Sequence, residues 1–230
     1  MRGGGCLENL TLTSKEFGLL VKILFWSTVA IFSSWLVIQF AFFENLLSWR
    51  RLFSMVSSSF ALTSGMFFIF CKWGWKFSIL PEVVGRPVLE GVWIGELVSN
   101  YQAVPGESIP PIKMVFVIKQ TYLTLSLQSF SEVQSGSSEV EAILSNPRTG
   151  LVRLTYIFEL RSPYRGEVRL VKGVGDLSVV SNEILKGGYW TSSPSNGELK
   201  MKKVSATSKT FTSFSDVRKQ WSKDRDWSVI

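Results

Sequence analysis

Residues 23–43 read ILFWSTVAIFSSWLVIQFAFF and residues 52–71 read LFSMVSSSFALTSGMFFIFC, and neither run holds a charged side chain. At a rise of about 1.5 Å per residue, either run is long enough as an α-helix to cross a hydrocarbon layer of about 30 Å. The first exceeds the apolar core of about 7–15 residues found in a secretory signal, and a second run follows it, so the pair reads as two transmembrane spans. Between them stand only the residues from Glu44 to Arg51. That leaves room for a tight turn, so the spans form an antiparallel hairpin and both chain ends share one side of the bilayer. That side carries Arg2, Lys15, Lys22, Lys72, Lys76 and Arg86, against Arg50 and Arg51 in the turn. The positive-inside rule therefore places both termini in the cytoplasm. Trp49, Trp73 and Trp75 stand where interfacial aromatics anchor such helices.

In the second span Ser57, Ala61 and Gly65 recur at every fourth residue, a stripe of small side chains that lets another helix approach closely. Packing against the first span and oligomerisation with a second copy both use such a stripe. Both uses stay open.

The chain has 230 residues, 46% of them hydrophobic, and the apolar excess lies mostly before residue 80. There is no histidine, which removes the commonest general base, most zinc ligand sets and every histidine-dependent nucleophile triad. Cys6 and Cys71 lie before the first span and at the end of the second, so no disulfide framework supports the rest, as suits a reducing compartment. The formal charge of +7 is spread along the chain, as suits a solvated surface, an anionic leaflet nearby or a phosphorylated ligand. No activated nucleophile can be paired with a base, so the expectation is a protein that is not an enzyme and holds no metal or cofactor.

The chain divides into an N-terminal segment (1–16), the transmembrane hairpin (17–75), a connector (76–87) broken by Pro81, Gly85 and Pro87, a β domain (88–203), and a tail (204–230) with a short helix. In the β domain, runs rich in Val, Ile, Leu, Thr and aromatics at 88–99, 112–119, 121–129, 139–145, 151–160, 166–172, 184–191 and 197–203 read as strands. The last is plainly amphipathic. Leu199 and Met201 alternate with Glu198, Lys200 and Lys202, giving one core face and one wet face. In the tail, Val217 and Trp221 share a helical stripe that Ser215 is placed to cap. The fold class is membrane-anchored all-β, with a small eight-stranded antiparallel barrel preferred to a sandwich because closure removes exposed edges.

Such a barrel has room for packed side chains or for one small ligand. Gly91, Trp93 and Gly95 alternate in the first strand, where the indole serves either as filler or as a stacking surface for a base. In the fifth strand Leu154, Tyr156 and Phe158 share a face opposite Arg153, Thr155 and Glu159, and the apolar face is the better lumen lining. Tyr189 and Thr191 alternate with Leu185 and Gly187 and join Tyr156 as a polar-tipped set. Arg165 and Arg169 flank the start of the sixth strand, where guanidinium groups at a barrel mouth pair with phosphate oxygens or are simply solvated. The glycines of KGVGDL (172–177) lack the GK[ST] ending of a phosphate loop.

The motifs LEGVWIG (89–95), IKQT (118–121), SGSS (135–138), LTY (154–156), YRG (164–166) and LKGGYWT (185–191), followed by Gly197, stand in a telling order. Together with the paired spans they resemble the two-transmembrane, β-strand-rich effectors of bacterial CBASS antiphage systems, the membrane partners of CD-NTase enzymes. The resemblance runs over about residues 17 to 203 and departs from the pattern at Arg165, where a histidine is expected. It implies a cytosolic barrel that senses a cyclic dinucleotide made by a CD-NTase. It also implies a hairpin in the inner membrane that oligomerises and disrupts the lipid, killing the infected cell. On that implication Trp93, Tyr156, Arg165, Arg169, Tyr189 and Thr191 are the ligand-binding candidates. A lipocalin-like carrier of an apolar ligand and a structural membrane adaptor are the alternatives.

Overall fold

The computed structural model describes the backbone of residues 9–12, 14–42, 48–77, 80–81, 85–102, 109–146, 148–164, 167–193, 195–208, 211, 213–223 and 226–227; the side chains of 9–10, 14–15, 42, 162–164 and 167–169 lie outside that description. It consists of a helical unit, Leu12–Ser78, and a β unit made of Met1–Thr11 with Ile79–Ile230.

In the helical unit, α1 spans Ser14–Phe42 and α2 spans Trp49–Lys72. Ser48 caps α2 from extended backbone, its hydroxyl accepting the Arg51 N–H at 3.4 Å. Several hydroxyls inside the two apolar runs donate back to their own helices: Thr28 donates to the Leu24 carbonyl at 2.8 Å, and Ser59 to the Met55 carbonyl at 2.7 Å. The two helices pack on each other, and α2 buries one stripe, Met55, Ser59 and Thr63. Phe25, Trp26, Val37 and Phe40 of α1 and Phe53, Phe60 and Phe68 of α2 are exposed. Both helices are long and apolar enough to cross a membrane, as the charge-free runs require.

The β unit is a closed antiparallel barrel. Its eight staves are β2 (Gly91–Ser99), β3 (Ile112–Gln120), β4 (Thr124–Phe130), β5 (Ser135–Ser145), β6 (Val152–Tyr164), β7 (Glu167–Ser181), β8 (Ile184–Thr191) and β9 (Asn196–Ser205). Sequence neighbours pair in turn, and the first stave closes on the last from Val92↔Ser205 to Ser99↔Gly197. A short additional strand, β1 (Asn9–Leu10), lies on the β4 edge with Asn9 opposite Leu125 and Leu10 opposite Thr124.

Alternation sorts each stave as expected. Leu154, Tyr156 and Phe158 enter the interior cluster with Trp93, Phe116 and Leu185, while Arg153 faces outward and pairs with Asp176 at 3.1 Å. Leu199 and Met201 are buried and Lys200 is exposed. The sixth stave corrects the expected end at residue 172, because β7 continues through Gly173 and Gly175 to Ser181. These glycines face the rings of the preceding stave: a Cβ on Gly173 would lie 2.4 Å from Phe158 Cζ, and one on Gly175 would lie 2.3 Å from Tyr156 Cζ. The missing side chains make space for aromatic rings on the partner strand and do not end the strand.

A second, outer core lies on β2 and β3. Val92, Ile94, Val115 and Val117 point away from the lumen and are covered by Val217 and Trp227 of the tail, with Phe214 and Trp221 beside them. The tail helix α3 spans Phe214–Gln220, and its cap is Ser213, which accepts the Asp216 N–H at 3.3 Å; the expected cap, Ser215, lies inside the helix.

Candidate ligand site in the barrel

One end of the barrel is plugged. Trp93 is fully buried there and its indole N–H donates to the Leu89 carbonyl at 2.9 Å, four residues back in the segment that leads into its strand. Beside it the Gln120 side chain accepts the Leu89 N–H at 2.6 Å and donates to the Pro87 carbonyl at 3.0 Å. These bonds satisfy the backbone where the chain enters its first stave, so this end is filled as a core is filled.

The other end is hollow. A mouth of about 310 Å³ lies among the ends of β2, β6 and β8 and the starts of β3, β7 and β9. Its wall carries Ser99, Tyr101, Gln134, Thr191, Ser193 and Ser195 over an apolar floor that includes Leu97, Met114 and Leu160. A smaller space of about 40 Å³ shares that floor and reaches inward to Phe116, Tyr156 and Phe158. An apolar base with a few polar groups on the wall is the general make-up of a small-molecule pocket.

Tyr156 lies at the inner limit. Its ring meets Phe116 edge-on at 5.9 Å and Phe158 at 5.7 Å. Burial pushes the phenol well above its ordinary range, and among the described residues its hydroxyl has no hydrogen-bond partner. Tyr189 lines both spaces. Burial raises its pKa too, opposed in part by a hydrogen bond from Ser99. Thr191 stands on the rim with its hydroxyl engaged by the turn that follows, 2.8 Å from Ser195 Oγ.

The structure thus brings Tyr156, Tyr189 and Thr191 to one hollow and places Trp93 at the opposite end, outside both cavity linings. Arg165 lies outside the described residues. Arg169 is on β7 opposite Ser162, and its side chain is outside the description. In the helical unit, Ser57, Ala61 and Gly65 are exposed, and a Cβ on Gly65 would meet nothing within 4 Å. The stripe α2 buries is the neighbouring one through Ser59.

Ser99, Tyr101, Met114 and Gln134 were not among the expected site residues. Three of them had a signal. Leu97, Ser99 and Tyr101 continue the period of two set by Gly91, Trp93 and Gly95, and the same count along β3 carries Met114 inward with Phe116.

No protein-family model matches the chain. It is 27% identical over 187 residues, 80% of this chain and 96% of the relative, to CD-NTase-associated protein 15 of Staphylococcus schleiferi. With the two apolar helices and the closed barrel beside that match, the resemblance drawn from the ordered motifs is borne out, and the chain is a relative of a CD-NTase-associated protein.

Proposed function

We propose that this protein is a CBASS-associated effector whose barrel mouth takes a cyclic dinucleotide and whose two apolar helices, set in the bacterial inner membrane, then assemble and breach it. The observation that carries the reading is the mouth, a hydroxyl- and tyrosine-lined hollow over a buried phenol that lacks a protein partner among the described residues. A base entering there meets Tyr189 and Tyr101 as stacking or bonding surfaces. Arg165 and Arg169 are assigned to the phosphates. The barrel binds and does not transform its ligand, and it needs no metal or cofactor.

Assembly follows from the exposed Ser57, Ala61 and Gly65 stripe, which offers close helix contact to a second copy. A ligand drives such assembly only through a preference for the assembled state. In this reading both termini and the barrel face the cytoplasm, where a CD-NTase would deliver its product.

The test uses the full chain in nanodiscs or in dye-loaded vesicles. Cyclic dinucleotide should bind saturably, raise the oligomer fraction and release the dye. Binding without release would remove the membrane step. Uptake of a fatty acid or retinoid in place of any cyclic dinucleotide would favour the lipocalin-like reading, which the apolar floor of the mouth also suits. An alkaline phosphatase fused after residue 230 should be inactive, and an active fusion would reverse the orientation.

A further inference from the structure

The segment that leads into the first apolar helix belongs to the barrel. Thr11 ends the β unit and Leu12 begins the helical one. Residues 9–11 occupy the joint between β4 and β5, where the ladder of the barrel is shortest. Those staves pair only through Gln128↔Ser137, Ser129↔Gly136 and Phe130↔Ser135. Beyond them a bulge between Ser138 and Val140 carries β5 away from β4.

Two substitutes close the gap. The Ser138 hydroxyl accepts the Leu127 N–H at 2.9 Å and donates to the Leu127 carbonyl at 3.0 Å, standing in for a ladder residue. β1 then pairs with Thr124 and Leu125, and the Thr11 N–H continues it to the Leu123 carbonyl at 2.9 Å.

The chain returns to this corner after the second helix. Arg86 is buried, donates from Nη2 to the Thr11 hydroxyl, and lies 5.4 Å from the Tyr122 ring centroid. Burying a guanidinium costs free energy that the Thr11 bond and the Tyr122 ring offset in part, so this contact holds Thr11 in place. Thr11 and Arg86, which precede and follow the helical hairpin in the sequence, thus meet within the β unit.

We propose that residues 9–11 are a latch in this seam, so that parting of β4 from β5 and release of the segment entering α1 are one event. The joint with the fewest ladder bonds opens first in local unfolding. β1 is bonded to β4 and also lies against β5, so it spans the joint and loses one of its two neighbours when the staves part. By linkage the coupling is reciprocal: a pull on the hairpin that withdraws residues 9–11 opens the barrel. It does not depend on what the barrel binds.

Amide hydrogen exchange of the full chain in detergent micelles, without ligand, tests this. Thr11→Val keeps the branched shape and removes the hydroxyl that Arg86 donates to. Exchange along Thr124–Leu127 and Ser138–Glu141 should quicken by at least about tenfold, the cost of one charge-assisted bond, while β7 and β8 keep their rates. In a Cys6→Ser, Cys71→Ser chain, Leu10→Cys with Thr124→Cys should form a disulfide, since directly opposed residues of an antiparallel pair lie about 4.5–5.5 Å apart. Oxidation should slow exchange at the seam and reductant should restore it. Quickening confined to residues 9–12, or a cross-link that leaves the seam unchanged, would overturn the latch.

Discussion

Replacing Tyr156 by phenylalanine deletes one oxygen from the barrel interior and leaves the ring against Phe116 and Phe158. The residue is 4% exposed, and its hydroxyl has no protein partner among the described residues. A hydroxyl desolvated without a bond costs about 1–3 kcal/mol. Taking the lower end, because the adjoining hollow admits some water, Tyr156→Phe should stabilise the fold by about 1 kcal/mol, which for a chain of this size raises Tm by about 2–4 °C. The same oxygen is a ligand contact in the proposed function, so affinity for cyclic dinucleotide should fall by about two- to tenfold, the worth of one neutral hydrogen bond. Thermal melts of the full chain in detergent by near-ultraviolet circular dichroism give the first quantity, and calorimetric titration gives the second. A fall in Tm would mean that the fold itself uses the hydroxyl. A rise in Tm with unchanged affinity would remove Tyr156 from the site while leaving the packing argument intact.

Alkaline pH tests the same burial. With the Tyr156 and Tyr189 phenols raised above their ordinary value near 10, the unfolded chain loses these protons first, so stability is full below about pH 10 and falls as pH rises, by about 1.4 kcal/mol per unit for the buried Tyr156 and by less for Tyr189 at the mouth. Urea titrations at pH 9 and 11 should show a shallower loss in Tyr156→Phe. Gly175→Ala should cost about 1–3 kcal/mol by overpacking against the Tyr156 ring, and Tyr156→Leu should recover most of that cost in the double variant, read from denaturation midpoints. Ala61→Leu with Gly65→Leu should reduce vesicle leakage at least about tenfold while the barrel still binds the ligand, somewhat more weakly because assembly no longer favours the bound state; undiminished leakage would dissociate the stripe from assembly.

The parts of the fold that were legible from residues are those whose signal is local and repeated. Two charge-free runs gave the helices, and alternation in LKMK and LTYIF gave both the staves and the face each turns inward. Closure was an inference from the number of staves, and the pairing of β2 with β9 supports it. Illegible features are those set by a partner distant in sequence. Gly173 and Gly175 look like a break until the rings of Phe158 and Tyr156 are seen across from them. β1 is two residues long and carries no period at all. Ser213 and Ser215 are equally good caps by residue type, and the docking of Val217 and Trp227 onto β2 and β3 decides between them. At the site, the tyrosines were accessible to alternation, whereas Gln134 lies in the turn between β4 and β5, where no period guides the eye.

The outer core bears on how the protein is made. Val92, Ile94, Val115 and Val117 leave the ribosome long before Val217 and Trp227, which cover them. The first stave likewise waits for residues 196–205 before it can pair on its β9 side. Throughout that interval a nascent chain whose α1 and α2 are already synthesised presents an unpaired strand edge and an apolar patch to its surroundings. Synthesis of this protein is therefore expected to depend on a holdase or on slow elongation near the end of the message. Variants that weaken the tail should reveal themselves first as lower yield and as aggregation, before any loss of stability in the molecules that do complete the barrel.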